Sequence, residues 1–217
     1  MLKNLQDLNR EVILKYDPNH GFKIETDKAG NVAKICLSDP RGQVLELEPE
    51  TVIFTAGRGN ESLRKQCGLE VPQMQVRPLH MLLARGELPE LTGHCVDGAK
   101  TRVTITCDRD SAGSVVWQVG GQLSEDGVKQ TREELIAAGR RELKEVLPSL
   151  SFEQVEFGSY RVDRAEPITP GGKRPETFRI LHERNILTCW PTKLVLVPIL
   201  AQQITARYER TVVVLCG

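Results

Sequence analysis

The chain has 217 residues, enough to bury a real core as one large or two small domains, and its 27% charged and 40% hydrophobic content is that of a soluble globular protein. Acidic and basic residues balance at 29 each, so no field favours nucleic acid or a membrane surface, and there is no basic stripe with interleaved aromatics. The longest apolar run, residues 194–201, contains Pro198 and is far too short to span a bilayer, so it reads as core.

Taken in order, Leu2, Leu5, Leu8, Val12 and Ile13 recur at helical spacing and predict an amphipathic helix over 3–15, stopped by Asp17-Pro18 and Gly21. Three short strands follow, over 22–26, 32–37 and 43–47, broken by turns at 28–31 and 38–42. They form a meander that leads to a strand over 51–55, expected to pair with the meander or to stand as an open edge. A helix over 61–67 comes next, with Asn60 as its N-cap. Residues 71–83 predict a strand with an edge or bulge at Pro78, and 88–98 a loop. The period-two segment 101–107 and the run 114–119 make a hairpin. Thr131 with Glu134 is a capping box that opens a helix to Val146. Strands are expected over 152–162, 178–181 and 185–189. Pro191 then begins a helix over about 192–208, bent at Pro198, and 212–215 is either a last strand or a disordered end.

The stretch 50–63 organises the chain. Val52, Ile53 and Phe54 form an apolar, β-favouring run that suits a fully buried strand of a mostly parallel sheet. Thr55-Ala56-Gly57-Arg58-Gly59 follows at once and passes into a helix, leaving backbone N–H groups where a phosphate or ribose can approach. As a dinucleotide fingerprint it is incomplete, because Ser62 stands at the third glycine position; the alternative is an ordinary strand-to-helix turn.

Three patches together carry a family resemblance. The first is this strand ending in Thr55-Ala56-Gly57; the second is residues 160–175, with Thr169-Pro170-Gly171-Gly172; the third runs from Asn185-Ile186-Leu187 through Trp190-Pro191-Thr192-Lys193-Leu194 to Pro198. In content and order they resemble the glycine/D-amino-acid oxidase-like FAD-dependent oxidoreductases, specifically a C-terminal portion of such an enzyme. Two departures stand out: Cys189-Trp190-Pro191 replaces the family's Gly-His-Gly turn, and Gly171 replaces an acidic residue after Thr-Pro. The strand, Gly-x-Gly-x-x-Gly and helix that open such an enzyme do not precede these patches.

The resemblance implies a mixed α/β fold with the tail of a FAD-binding domain over 1–70, a largely antiparallel substrate domain over 71–190, and a flavin-proximal helix and tail over 191–217. It implies contact with FAD by Thr55, Ala56, Gly57, Arg58 and Gly59, and by Pro191, Thr192, Lys193 and Leu194. Hydride would pass from a small amine, amino acid or 2-hydroxy acid to the flavin. Arg164 is the candidate to hold a substrate carboxylate, or else a surface arginine paired with Asp163 or Glu166. Lys193 meets the flavin or the substrate, or is a solvated lysine.

Other polar residues carry weaker signals. His80 is a base or a hydrogen-bonded structural histidine, and His94, Cys95 and Cys107 match no zinc spacing. Trp117 and Trp190 are core or pocket wall, with flavin stacking as the alternative. Six cysteines without a C-x-x-C pair, and no signal peptide, predict free thiols in the cytoplasm. The expected partners are a small-molecule substrate and, through a bared sheet edge, a second copy of the chain. From another class comes a non-catalytic binding module that keeps the substrate-domain fold. The isolated chain is expected to be colourless and inactive.

Overall fold

The computed structural model describes residues 6–17, 21–206 and 212–216. Along the chain run β1 (Phe22–Thr26), β2 (Val32–Ser38), β3 (Val44–Leu47), β4 (Thr51–Thr55), α1 (Asn60–Gln66), β5 (Met74–Gly86), β6 (Gly93–Asp97), β7 (Lys100–Arg109) and β8 (Val115–Gly120). There follow α2 (Gln122–Asp126), α3 (Arg132–Val146), β9 (Glu156–Pro167), β10 (Arg179–Glu183), β11 (Ile186–Trp190), α4 (Val197–Thr205) and β12 (Val212–Cys216). The architecture is mixed α/β with mostly antiparallel pairing, in two compact units: Met1–Gln75 with Ala165–Gly217, and Val76–Arg164.

In the first unit, β4 is an inner strand of a sheet ordered β10-β11-β4-β12. It pairs parallel to β11, with Thr188 opposite Phe54, and parallel to β12, with Val213 opposite Val52. This corrects the expectation that β4 would pair with the meander or lie open. The physical reason is visible in the run Val52-Ile53-Phe54, which is apolar at every position and so needs cover on both faces. Val52 and Phe54 pack with Leu63, Cys67 and Ile186; Ile53 packs with Leu187, Cys189 and Leu200. It also explains why residues 165–190 group with this unit and not with 76–164: β11 completes the sheet of β4. The tail strand β12 settles the ambiguous end as a strand.

The meander β1-β2-β3 forms its own antiparallel sheet. Asn185 pins it to the turn before β11, accepting from the Val32 N–H at 2.8 Å and donating to the Val32 carbonyl at 2.9 Å. The helix expected over 3–15 is much shorter within the described residues: 6–8 are helical, Arg10–Val12 is a 3-10 turn, and Ile13 is already extended. Leu8 and Val12, 81% and 78% exposed, do not bury the apolar stripe that the spacing suggested. Residues 3–5 lie outside the described residues.

The second unit is built on a five-stranded sheet ordered β6-β7-β8-β5-β9. Its inward positions alternate as the period-two pattern requires: Ile105 opposite Val119, Cys107 opposite Trp117, and Leu82 opposite Val119. Leu135 and Leu143 of α3 complete this core. The capping box is present, with the Glu134 N–H donating to Thr131 Oγ1 and the Thr131 N–H to Glu134 Oε2. Gly139 lets α3 sit close against the sheet, since a Cβ there would lie 2.3 Å from Leu82 Cδ2. Strand β6 corrects the loop expected over 88–98. It is an edge strand with only partial burial, so it lacks the apolar alternation that betrays a strand. Pro78 lies within β5 but ahead of Leu82–Gly86, the part laddered to β8, where a missing N–H costs nothing on that side.

Candidate functional site

Strands β4 and β11 run parallel, so their carboxyl ends lie side by side, and both stretches expected to meet a cofactor leave from there. In open α/β sheets this is where ligands bind. From β4 the chain passes through Thr55 and Ala56 into a 3-10 turn over Gly57–Gly59 and then α1. From β11 it passes through Pro191, Thr192 and Lys193 into a 3-10 turn over Leu194–Leu196.

Asn60 joins the two exits. Its side chain is fully buried, accepts from the Ala56 N–H at 2.8 Å and donates to the Cys189 carbonyl at 3.2 Å. The sequence suggested an N-cap, but Gly59 holds that position and Asn60 is the first residue inside the helix. The predicted residues differ in what they have left to offer. Thr55 Oγ1 donates to the Leu215 carbonyl, and the Gly59 N–H donates to the Ala56 carbonyl. Gly57 has φ +55°, and among the described residues nothing lies within 4 Å of the place a Cβ would take, so the turn leaves room on that side.

The second exit is a tight turn and not a helix start. Lys193 N–H donates to the Pro191 carbonyl at 2.6 Å, across Thr192, a non-glycine residue at φ +60°. Such a turn is rare and strained, and strain of this kind gathers at functional positions. Thr192 Oγ1 steadies it by donating to the Thr177 carbonyl. Lys193 is extended, and Leu194 is exposed. The helix expected from residue 192 begins only at Val197, with Pro198 in its first turn, where no N–H is needed. The expected helix N-terminus at 192–194 is therefore absent. Trp190, 1% exposed, closes the strand below, and its indole N–H has no acceptor among the described residues.

Sequence reasoning missed Arg64. It is 0% exposed on α1, and its guanidinium donates to Glu183 Oε2 at 2.6 Å, to Thr188 Oγ1 at 2.9 Å and to the Glu70 carbonyl at 2.8 Å. It thereby ties α1 to β10 and β11, directly behind the crevice. The charged segment Glu61-Ser62-Leu63-Arg64-Lys65 gives no hint which of its two cations turns inward.

The other candidates are placed as follows. Arg164, in the second unit, pairs with Glu125 at 3.0 Å, while Lys193 belongs to the first. His80 is buried between the Gly127 carbonyl, 3.1 Å from Nδ1, and Ser159 Oγ, 2.9 Å from Nε2. A carbonyl only accepts, so Nδ1 donates to Gly127; with both ring nitrogens engaged inside the unit, the histidine is placed as a structural one. Burial pushes the Cys189 thiol up to about 12 and that of Cys67 up to about 11, which keeps both protonated and unreactive. Among the described residues no cluster of metal-ligating side chains occurs, and no helix is long and apolar enough to cross a membrane.

No family model matches the chain. It is 39% identical over 193 residues to the "Probable FAD-dependent oxidoreductase PA4991" of Pseudomonas aeruginosa, a match that covers 87% of this chain and 48% of that protein. The crystal structure of PA4991 superposes with a TM-score of 0.83 at 34% identity, covering 96% of this chain and 56% of the other. Over most of its length the chain is similar, in sequence and in fold, to part of a probable FAD-dependent oxidoreductase. It spans about half the length of the relative it matches. A glycerol-3-phosphate dehydrogenase from Bacillus halodurans complexed with FAD matches at 12% identity over 86% of this chain and 38% of its own, with a TM-score of 0.41, too distant to inform the site.

The residues present fit one wall of a FAD site. The opening at Gly57 and the strained turn at Thr192 stand side by side at the carboxyl ends of parallel strands, where backbone can approach a planar ligand. The sequence contains no Gly-x-Gly-x-x-Gly to receive a pyrophosphate.

Proposed function

We propose that this chain forms the substrate-side portion of a D-amino-acid-oxidase-like enzyme, acting on a small amine, amino acid or 2-hydroxy acid. The single observation that carries the reading is the pairing of two half-buried turns, Gly57–Gly59 and Pro191–Lys193, across parallel β4 and β11 and held together by Asn60. Thr55, Ala56, Gly57, Arg58 and Gly59 on one side, with Pro191, Thr192, Lys193 and Leu194 on the other, would face the cofactor. FAD, when bound, supplies the hydride acceptor. The protein's own work is to hold and orient: Arg164 takes a substrate carboxylate, and Lys193 offers a positive charge beside the turn. We also propose self-association, to which the exposed Leu194, Val195 and Ile199 would contribute apolar surface.

One wall does not hold a dinucleotide. Each charge-assisted hydrogen bond missing from the pyrophosphate removes about 1.5–3 kcal/mol, so several together weaken binding by orders of magnitude. The test is gel filtration of the 217-residue chain with added FAD, followed by an absorption spectrum. The expected result is a colourless, inactive protein, whereas a longer form that adds a Gly-x-Gly-x-x-Gly segment keeps its flavin band. A band retained by this chain alone would refute the one-wall reading. A longer form that also stays colourless would favour a non-catalytic binding module, a reading supported by the internal engagement of the Ala56 and Gly59 N–H groups.

A further inference from the structure

In the second unit two guanidiniums converge on one carboxylate oxygen. Nη2 of Arg77 lies 3.2 Å, and Nη2 of Arg164 3.0 Å, from Oε1 of Glu125. The arginines stand on β5 and β9, neighbours in the five-stranded sheet, whereas Glu125 belongs to the five-residue helix α2. All three line a cleft of about 450 Å³, together with Lys129 and Asp126. The Glu125 side chain is 41% exposed, against 22% and 23% for the arginines, so solvent reaches the anion more readily than the cations that hold it.

The energetics favour exchange. Ion pairs this exposed are worth at most about 1 kcal/mol, so releasing Glu125 into water costs little. The cations have sheet strands beneath them, and planar guanidiniums match any carboxylate equally well. We infer that this cleft binds small organic acids, and that Glu125 is its resident anion: an incoming carboxylate takes the place of the Glu125 carboxylate between Arg77 and Arg164. Arg77 thus becomes a second carboxylate-holding residue, and Glu125 an internal competitor that sets the affinity. The inference rests on the proposed role of Arg164.

The test uses isothermal titration of the flavin-free chain with sodium glycolate, and with glycolamide as the neutral control. Glu125→Gln keeps the shape and removes the competing charge, so it should bind glycolate roughly tenfold more tightly than the unmodified chain. Adding Arg77→Gln or Arg164→Gln to that variant should abolish the gain, and glycolamide should bind to none of them. Misfolding cannot raise an affinity, so Glu125→Gln reports on the inference even where an arginine variant is damaged. Equal glycolate affinity with and without Glu125→Gln overturns the inference, as does glycolamide binding as well as glycolate. Because no flavin takes part, the outcome is separable from the oxidase reading. Tighter glycolate binding by a chain that never retains FAD in a longer form keeps this site and ends that reading; the reverse pair of results does the opposite.

Discussion

Replacing Arg64 tests how firmly the crevice is backed. The side chain is 0% exposed and anchors α1 through five hydrogen bonds: Nε and Nη2 to the Glu70 carbonyl at 3.2 and 2.8 Å, Nη1 and Nη2 to the Glu183 carboxylate at 2.6 and 3.2 Å, and Nη1 to Thr188 Oγ1 at 2.9 Å. Arg64→Ala removes all five and opens a cavity. Breaking a buried ion pair from one side costs about 3–5 kcal/mol. Glu183 is 31% exposed and can turn toward water, which places the expected loss near the lower limit, about 3 kcal/mol. Arg64→Lys retains the charge but not the planar fork, and should lose about half as much. Each unit holds one of the chain's two tryptophans, so urea unfolding followed by the fluorescence of Trp190 in a Trp117→Phe background reports on the first unit alone. A loss below about 1 kcal/mol for Arg64→Ala, or no difference between alanine and lysine, would refute the reasoning.

Asn60→Ala removes the hydrogen bonds to the Ala56 N–H and the Cys189 carbonyl and should cost about 2–3 kcal/mol in the same assay, with Asn60→Asp, which keeps the acceptor, costing less. Gly139→Ala should destabilise the second unit by about 1–3 kcal/mol in thermal unfolding, because the overlap with buried Leu82 outweighs the helix propensity that alanine usually gains. Burial raises the Cys67 and Cys189 thiols from an ordinary 9.0 to about 11 and about 12, so the unfolded chain loses those protons first. Stability is therefore complete below pH 9 and falls as pH rises toward the folded values, by up to about 1.4 kcal/mol per thiol and pH unit. A urea midpoint that stays flat between pH 9 and 10.5 in Cys-intact protein, or falls equally in Cys67→Ala/Cys189→Ala, would contradict this.

Local signals in the sequence translated well where one residue pattern decides the structure. The alternation at 101–107 gave β7, the Thr131–Glu134 box gave the start of α3, and the unbroken run Val52-Ile53-Phe54 announced a strand covered on both faces. Partners of that strand were not legible. The unbroken apolar run pointed to parallel pairing, which β11 and β12 supply, but which segments flank β4 depends on chain returns from residues 186 and 212. The same limit hid Arg64 and misread Asn60. Asn60 is a good capping residue by type, but a carbonyl 129 residues away made a better use of its amide. Pro191 misled in the opposite sense: proline suits the first turn of a helix, yet here Pro198 takes that place and Pro191 instead accepts a hydrogen bond across a strained turn.

The central claim is that the exits of β4 and β11 form one wall of a flavin site. Amide NMR spectra of the chain, titrated with FAD to millimolar concentration, test it directly, because weak binding too short-lived for gel filtration still moves resonances. The account predicts fast-exchange shifts that appear together at residues 56–59 and 192–194 and leave the meander at 22–47 unmoved. Shifts confined to one of the two turns, or centred elsewhere in the chain, would contradict it.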